Sequence, residues 1–200
     1  MNGTLKLFCA VVSVAMAFSK PALAQSKVAI LMPGAGGATP IDFLVRNQAG
    51  FGGAGVSVIV TTSSGEAASI SLSEAAKGRK VVLVGMSRGT IDVANAVAAG
   101  AKADGVVFVS GAYDKVRSQL GSPAKLPPAL IVHHRRDECG ATPPSAVDSF
   151  VAWSAGKTSV RWISNQGGAV PNPCGPRGAH GFYMQDGAAV SAINSFIRSR

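Results

Sequence analysis

The stretch Val81-Val82-Leu83-Val84-Gly85-Met86-Ser87-Arg88-Gly89-Thr90 sets one hydroxyl where it could act as a nucleophile. The aliphatic run reads as a strand buried on both faces and the residues from Thr90 onward as a helix, so Ser87 falls in the turn between them. Such a turn is tight and strained, and glycines at 85 and 89 avoid the collisions that a Cβ would make there. The start of the following helix offers free N–H groups and a positive dipole end, both favourable to an oxygen that gains negative charge. A serine hydroxyl is a poor nucleophile at neutral pH, so the chemistry also requires a base within hydrogen-bonding reach. The bland alternative is a turn serine, because G-x-S-x-G also arises by chance.

The elements that must position Ser87 alternate along the chain. Short apolar runs at 27–32, 56–61, 80–84, 105–110, 129–133 and 159–163 read as strands. Helices are expected from Pro40, capped by Thr39 and ended by the glycines from Gly50, and over 66–77, 90–99, 144–155 and 188–198. This alternation predicts an α/β fold, a mostly parallel sheet of about six strands with right-handed crossovers and helices on both faces. Reactive groups of such a sheet gather outside the carboxyl ends of its strands. The segment 165–179 is too rich in Gly and Pro for a regular element, and Cys174 within it argues for a loop that is tied down.

Taken together, the strand, the Gly85-Met86-Ser87-Arg88-Gly89 turn and the helix resemble the α/β-hydrolase fold family, over nearly all of the chain from residue 25. The family order of catalytic groups is serine, then Asp or Glu, then histidine. The resemblance therefore assigns the acid to Asp137, in the loop beyond the strand 129–133, and the base to His180, in the loop before the closing helix. His180 would take the Ser87 proton and return it to the leaving group, while Asp137 fixes the imidazole tautomer. The oxyanion would be met by the backbone N–H of Arg88 and by one from the Gly-rich loop after the first strand, Ala35 first, with Gly34 or Gly36 as alternatives.

Other side chains compete for these roles. Glu138 is the neighbouring alternative to Asp137, and Asp114 the fallback acid after an earlier strand. Asp92 reads as a helix residue pairing locally. His133 and His134 continue a strand, point to opposite faces and so cannot easily share a metal; they read as structural or pocket-lining. Gly34-Ala35-Gly36-Gly37 could cradle a phosphate, but it is neither G-x-G-x-x-G nor followed by Lys-Ser/Thr.

Residues 1–24 have the three parts of a secretory signal: a polar start with Lys6, an apolar run from Leu7 to Phe18, and Ala22-Leu23-Ala24 before Gln25. One domain, 25–200, is expected after its removal. Excision would take Lys6 and Lys20 from 19 basic residues against 10 acidic, lowering the formal charge from +9 to +7. The remaining basic residues are scattered, which argues against nucleic acid as a partner. An apolar fraction of 47% with 14% charged residues can bury a core. Cys9 would leave with the leader, and Cys139 and Cys174 would then pair in an oxidising compartment, tying the acid loop to the histidine loop.

The expected function is an exported, periplasmic or secreted serine hydrolase acting on small carboxylic esters through an acyl-enzyme, with no cofactor or metal and no stable membrane insertion. No insertion is long enough for a large lid. Thioester or amide cleavage on the same groups, or a noncatalytic hydrolase-like binding protein, are the alternatives.

Overall fold

The computed structural model describes residues 26–53, 55–164 and 170–200. The segment read as a signal peptide lies outside the described residues, as does the part of the Gly- and Pro-rich loop at 165–169. Six strands form one sheet: β1 (Lys27–Met32), β2 (Val56–Val60), β3 (Lys80–Met86), β4 (Gly105–Val109), β5 (Ala129–His134) and β6 (Thr158–Ile163). Their order is β2-β1-β3-β4-β5-β6, and every neighbouring pair is parallel. A parallel sheet must be covered on both faces, which explains why β3 after Lys80, β4, and β5 up to Val132 are continuous apolar runs without polar alternation.

The period of two divides these runs between two cores. Ile30, Leu83, Phe108 and Ile131 face α3 (Ser64–Ala76), α4 (Arg88–Ala98), α5 (Tyr113–Leu120) and α6 (Ala146–Trp153). Leu31, Val84, Val109 and Val132 face α1 (Phe43–Arg46), α2 (Gln48–Phe51) and α7 (Asp186–Arg198). Each fully buried Leu, Ile, Val or Phe contributes about 1.5–3 kcal/mol, so both layers are held to the sheet largely by side chains of this kind.

Two expectations from the sequence need correction. Thr39 does not cap the first helix: Asp42 does, its Oδ1 accepting from the N–H groups of Leu44 (2.8 Å) and Val45 (3.4 Å), so the helix begins three residues after Pro40. That helix is also broken at Asn47 into two short pieces, α1 and α2. The helix α5 has no counterpart among the expected elements. Its sequence, YDKVRSQL, is mostly polar, and only Tyr113, Val116 and Leu120 are buried.

β1 sits between β2 and β3, so the chain leaves β1 toward one edge of the sheet and then crosses back to continue toward the other. The loops after β1 and β3 thus part above adjacent strand ends, leaving the crevice in which open α/β sheets bind ligands. No helix among the described residues is long and apolar enough to cross a membrane.

Candidate active site

Ser87 occupies the junction of β3 and α4 with φ 51° and ψ −116°. A non-glycine side chain held there costs roughly 1–3 kcal/mol, so the surrounding structure must impose the conformation. It does so through the Ser87 N–H, which donates to the Val109 carbonyl (2.8 Å), and the Ser87 carbonyl, which accepts from Thr90 Oγ1 (2.6 Å) and the Thr90 N–H (3.0 Å). The first turn of α4 presses so closely on the end of β1 that a Cβ at Gly89 would overlap the Met32 carbonyl oxygen. Ser87 is thereby raised into a cavity of about 330 Å³ at the crevice.

Asp137 and His180 reach the same place from the other side. Asp137 follows β5 and is buried, whereas Glu138 is exposed. His180 Nδ1 lies 2.8 Å from Asp137 Oδ2, and Asp137 Oδ1 accepts the Cys139 N–H at 2.9 Å. Burial alone would raise the pKa of Asp137; the imidazoles of His133 and His180 beside its carboxylate, the charge of His180 and the Cys139 N–H more than reverse it and bring it down to about 2. The other ring nitrogen, His180 Nε2, is buried without a hydrogen-bond partner among the described residues. His180 and Ser87 line the same cavity. Asp114 is exposed and pairs with Arg117, far from this role, and Asp92 lies 4.0 Å from Arg88 Nε on α4.

Ala35 and Arg88 both line the cavity. Arg88 is the first residue of α4, so its N–H has no intrahelical partner, while its side chain is largely solvent-exposed. The Gly34 N–H is already used by Asp42 Oδ2 (3.0 Å), which leaves Ala35 and Gly36 as the free positions of the loop. Asp42 also bears on the phosphate reading. Its carboxylate occupies the N–H groups at the start of α1, where a phosphate would otherwise bind.

The sulfur atoms of Cys139 and Cys174 lie 2.01 Å apart, joining the loop after β5 to the loop that carries His180. Both cysteines line the cavity wall. Three further ties hold the histidine loop. Ser110 Oγ donates to the His180 carbonyl (2.8 Å), Arg46 Nη2 donates to the Gly181 carbonyl (2.5 Å), and Arg46 and Asn47 both donate to Asp186 Oδ1. On β5, His133 and His134 point to opposite faces: His133 toward Tyr113 and Asp137, His134 toward Gln185 and Phe182. Sequence reasoning set aside His133 and did not single out Tyr113, Thr142, Ser110 or Arg46. A strand histidine four residues before the proposed acid was the available signal for the first. Among the described residues no cluster of His, Cys, Asp and Glu is arranged to hold a metal ion.

No protein-family model matches the chain, and no curated protein sequence matches it. Solved structures do. Est1E from Butyrivibrio proteoclasticus superposes with a TM-score of 0.63 at 15% identity, over 88% of each chain. A serine hydrolase homologue from Coxiella burnetii gives 0.63 at 18%, over 86% of this chain and 85% of that one. A monoacylglycerol lipase from Paleococcus ferrophilus gives 0.60 at 14%, over 88% and 96%. The chain has the α/β-hydrolase fold, a compact, open parallel sheet with helices on both faces.

Proposed function

We propose that this protein is a serine hydrolase that cleaves small carboxylic esters through an acyl-enzyme formed on Ser87. The observation that carries the reading is His180: its Nδ1 is held by an ionised carboxylate, while its buried Nε2 has no partner and shares a cavity with a strained serine. In the first half-reaction His180 Nε2 accepts the Ser87 proton as Oγ attacks the acyl carbon, and then gives that proton to the departing alcohol. Water repeats the sequence in the second half and releases the acid. Asp137 keeps the Nδ1–H tautomer and stabilises the imidazolium. The N–H groups of Arg88 and Ala35 meet the tetrahedral oxyanion, each worth about 3 kcal/mol in the transition state.

A cavity of about 330 Å³ lined by Phe43, Met86, Ile91 and Ala112 suits a short apolar acyl group. The likeness to a monoacylglycerol lipase supports acyl transfer in general. A cysteine bridge fits an exported enzyme, since thiols in reducing compartments stay apart. Thioesters and amides would use the same groups and differ in the leaving atom.

A fluorophosphonate probe followed by peptide mapping tests the assignment. Labelling is expected at Ser87, and hydrolysis of p-nitrophenyl acetate is expected to vanish in Ser87→Ala. Label on another residue, or undiminished hydrolysis by that variant, would sink the reading.

A further inference from the structure

Asp137 has a second imidazole behind it. His133 Nε2 lies 3.2 Å from the same oxygen, Oδ2, that faces His180, and both side chains are fully buried. The approach falls short of hydrogen-bond geometry in this structure, and Nε2 has no hydrogen-bond partner among the described residues, so a small turn of the ring would complete a bond to the carboxylate. On the far edge of the ring, Nδ1 lies 2.6 Å from Tyr113 Oη, itself buried. Tyr113 Oη accepts the Gly111 N–H at 3.2 Å, which leaves its hydrogen free to donate. Trp162 packs edge-on against the same imidazole, with ring centroids 5.9 Å apart, and limits its rotation.

The proton positions follow from counting donors. A neutral imidazole carries one proton. Placed on Nδ1, it would face a phenol and leave a bare Nε2 lone pair 3.2 Å from an ionised carboxylate oxygen, two buried acceptors turned toward each other. Placed on Nε2, it gives the carboxylate a donor and leaves Nδ1 to accept from Tyr113. Burial, with the Asp137 charge adding to it, pushes the Tyr113 hydroxyl well above the ordinary phenol range, so this donor stays protonated.

We infer that His133, its tautomer set by Tyr113, is a positioning residue that donates to Asp137 from behind and aligns the carboxylate with His180. The role rests on the proposed function for its catalytic consequence, though not for its hydrogen-bond pattern. With Cys139 N–H on Oδ1 and His133, His180 and Thr142 (Oγ1, 3.4 Å) around Oδ2, the buried carboxylate cannot swing without losing a contact. Tyr113 lies on α5 and His133 on β5, so the orientation of the acid is tied to an element that never touches the cavity through its own hydroxyl.

Two-bond proton–nitrogen correlation spectra of protein labelled with ¹⁵N-histidine test the pattern directly. The sequence holds 3 histidines, so each ring is assignable by substitution. The His133 ring is expected as the neutral Nε2–H form, both in the native chain and in Ser87→Ala, and to gain Nδ1–H in Tyr113→Phe. A native His133 ring protonated on Nδ1, or on both nitrogens, would overturn the inference. In activity, His133→Leu is expected to lower kcat about 10- to 100-fold with KM little changed, the size of a small misalignment. His133→Gln, whose amide can donate, should recover part of that loss. Equal losses in two folded variants would also refute the role, and misfolding of both leaves the spectra to decide. Full hydrolysis by Ser87→Ala would instead refute the nucleophile and leave the spectra standing.

Discussion

Nδ1 of His180 and Oδ2 of Asp137 meet at 2.8 Å although 43 residues separate them in the chain. Their approach is made by two loops leaving the same end of the sheet, one after β5 and one after β6, and held by the bridge between Cys139 and Cys174. The other ring nitrogen has no hydrogen-bond partner among the described residues, and His180 lines the same cavity as Ser87.

Asp137→Asn would keep the shape of this contact and remove its charge and its tautomer preference. The expected loss in kcat is about 10⁴-fold, the scale of that change in Ser-His-Asp enzymes. Glu138→Gln, at an exposed position, should leave the rate near the native value. Steady-state hydrolysis of p-nitrophenyl acetate by the two variants separates the candidates for the acid.

Stability should fall in acid through the same carboxylate. Burial works to raise its pKa, but the imidazoles of His133 and His180 beside it win and hold it at about 2 in the folded chain, against an ordinary 3.8. The unfolded chain therefore takes up the proton first as pH falls. The contribution, about 2 kcal/mol, is complete above the ordinary value and is lost as pH descends from about 4 toward 2. Guanidinium unfolding across that window should show the decline, and Asp137→Asn should flatten it.

Replacing Cys139 and Cys174 together by serine opens a connection of 35 residues. Loop-closure entropy puts the loss at about 4 kcal/mol, which for a chain of this size lowers the thermal midpoint by roughly 10 °C. Catalytic rate should fall as well if the bridge holds the acid and histidine loops in register. A calorimetric midpoint and a rate both equal to those of the native protein would remove that role.

Arg46→Leu should also reach the site without touching substrate. It strips a donor from the Gly181 carbonyl and leaves Asp186 with Asn47 alone among the donors described for Oδ1. Partly buried groups that lose a charged partner cost about 1–3 kcal/mol. A lowered midpoint with a reduced kcat is expected, measured by thermal melt and ester hydrolysis.

What the sequence displayed depended on how local each signal was. The strands were legible because a buried parallel strand is an uninterrupted apolar run, as in Gly105–Val109. Ser87 was legible because the turn needs glycines at fixed offsets, and Asp137 and His180 because a known order of groups told where to look. Helix α5 was hidden by its polar composition, with its buried residues confined to Tyr113, Val116 and Leu120. Asp42 outcompeted Thr39 as a cap because its carboxylate serves Leu44, Val45 and Gly34 at once, a three-way relation that one-dimensional spacing does not express. His133 read as a strand residue since its meaning lies in Tyr113, 20 residues away on another element.

The clamp of Arg46 on Gly181 and Asp186 joins the first helical turn to the last helix, across 135 and 140 positions of chain. During synthesis from the amino end, the guanidinium emerges long before either acceptor exists. The loop that carries His180 is therefore clamped by a residue from the opposite end of the fold, and that clamp closes only when both ends have been made.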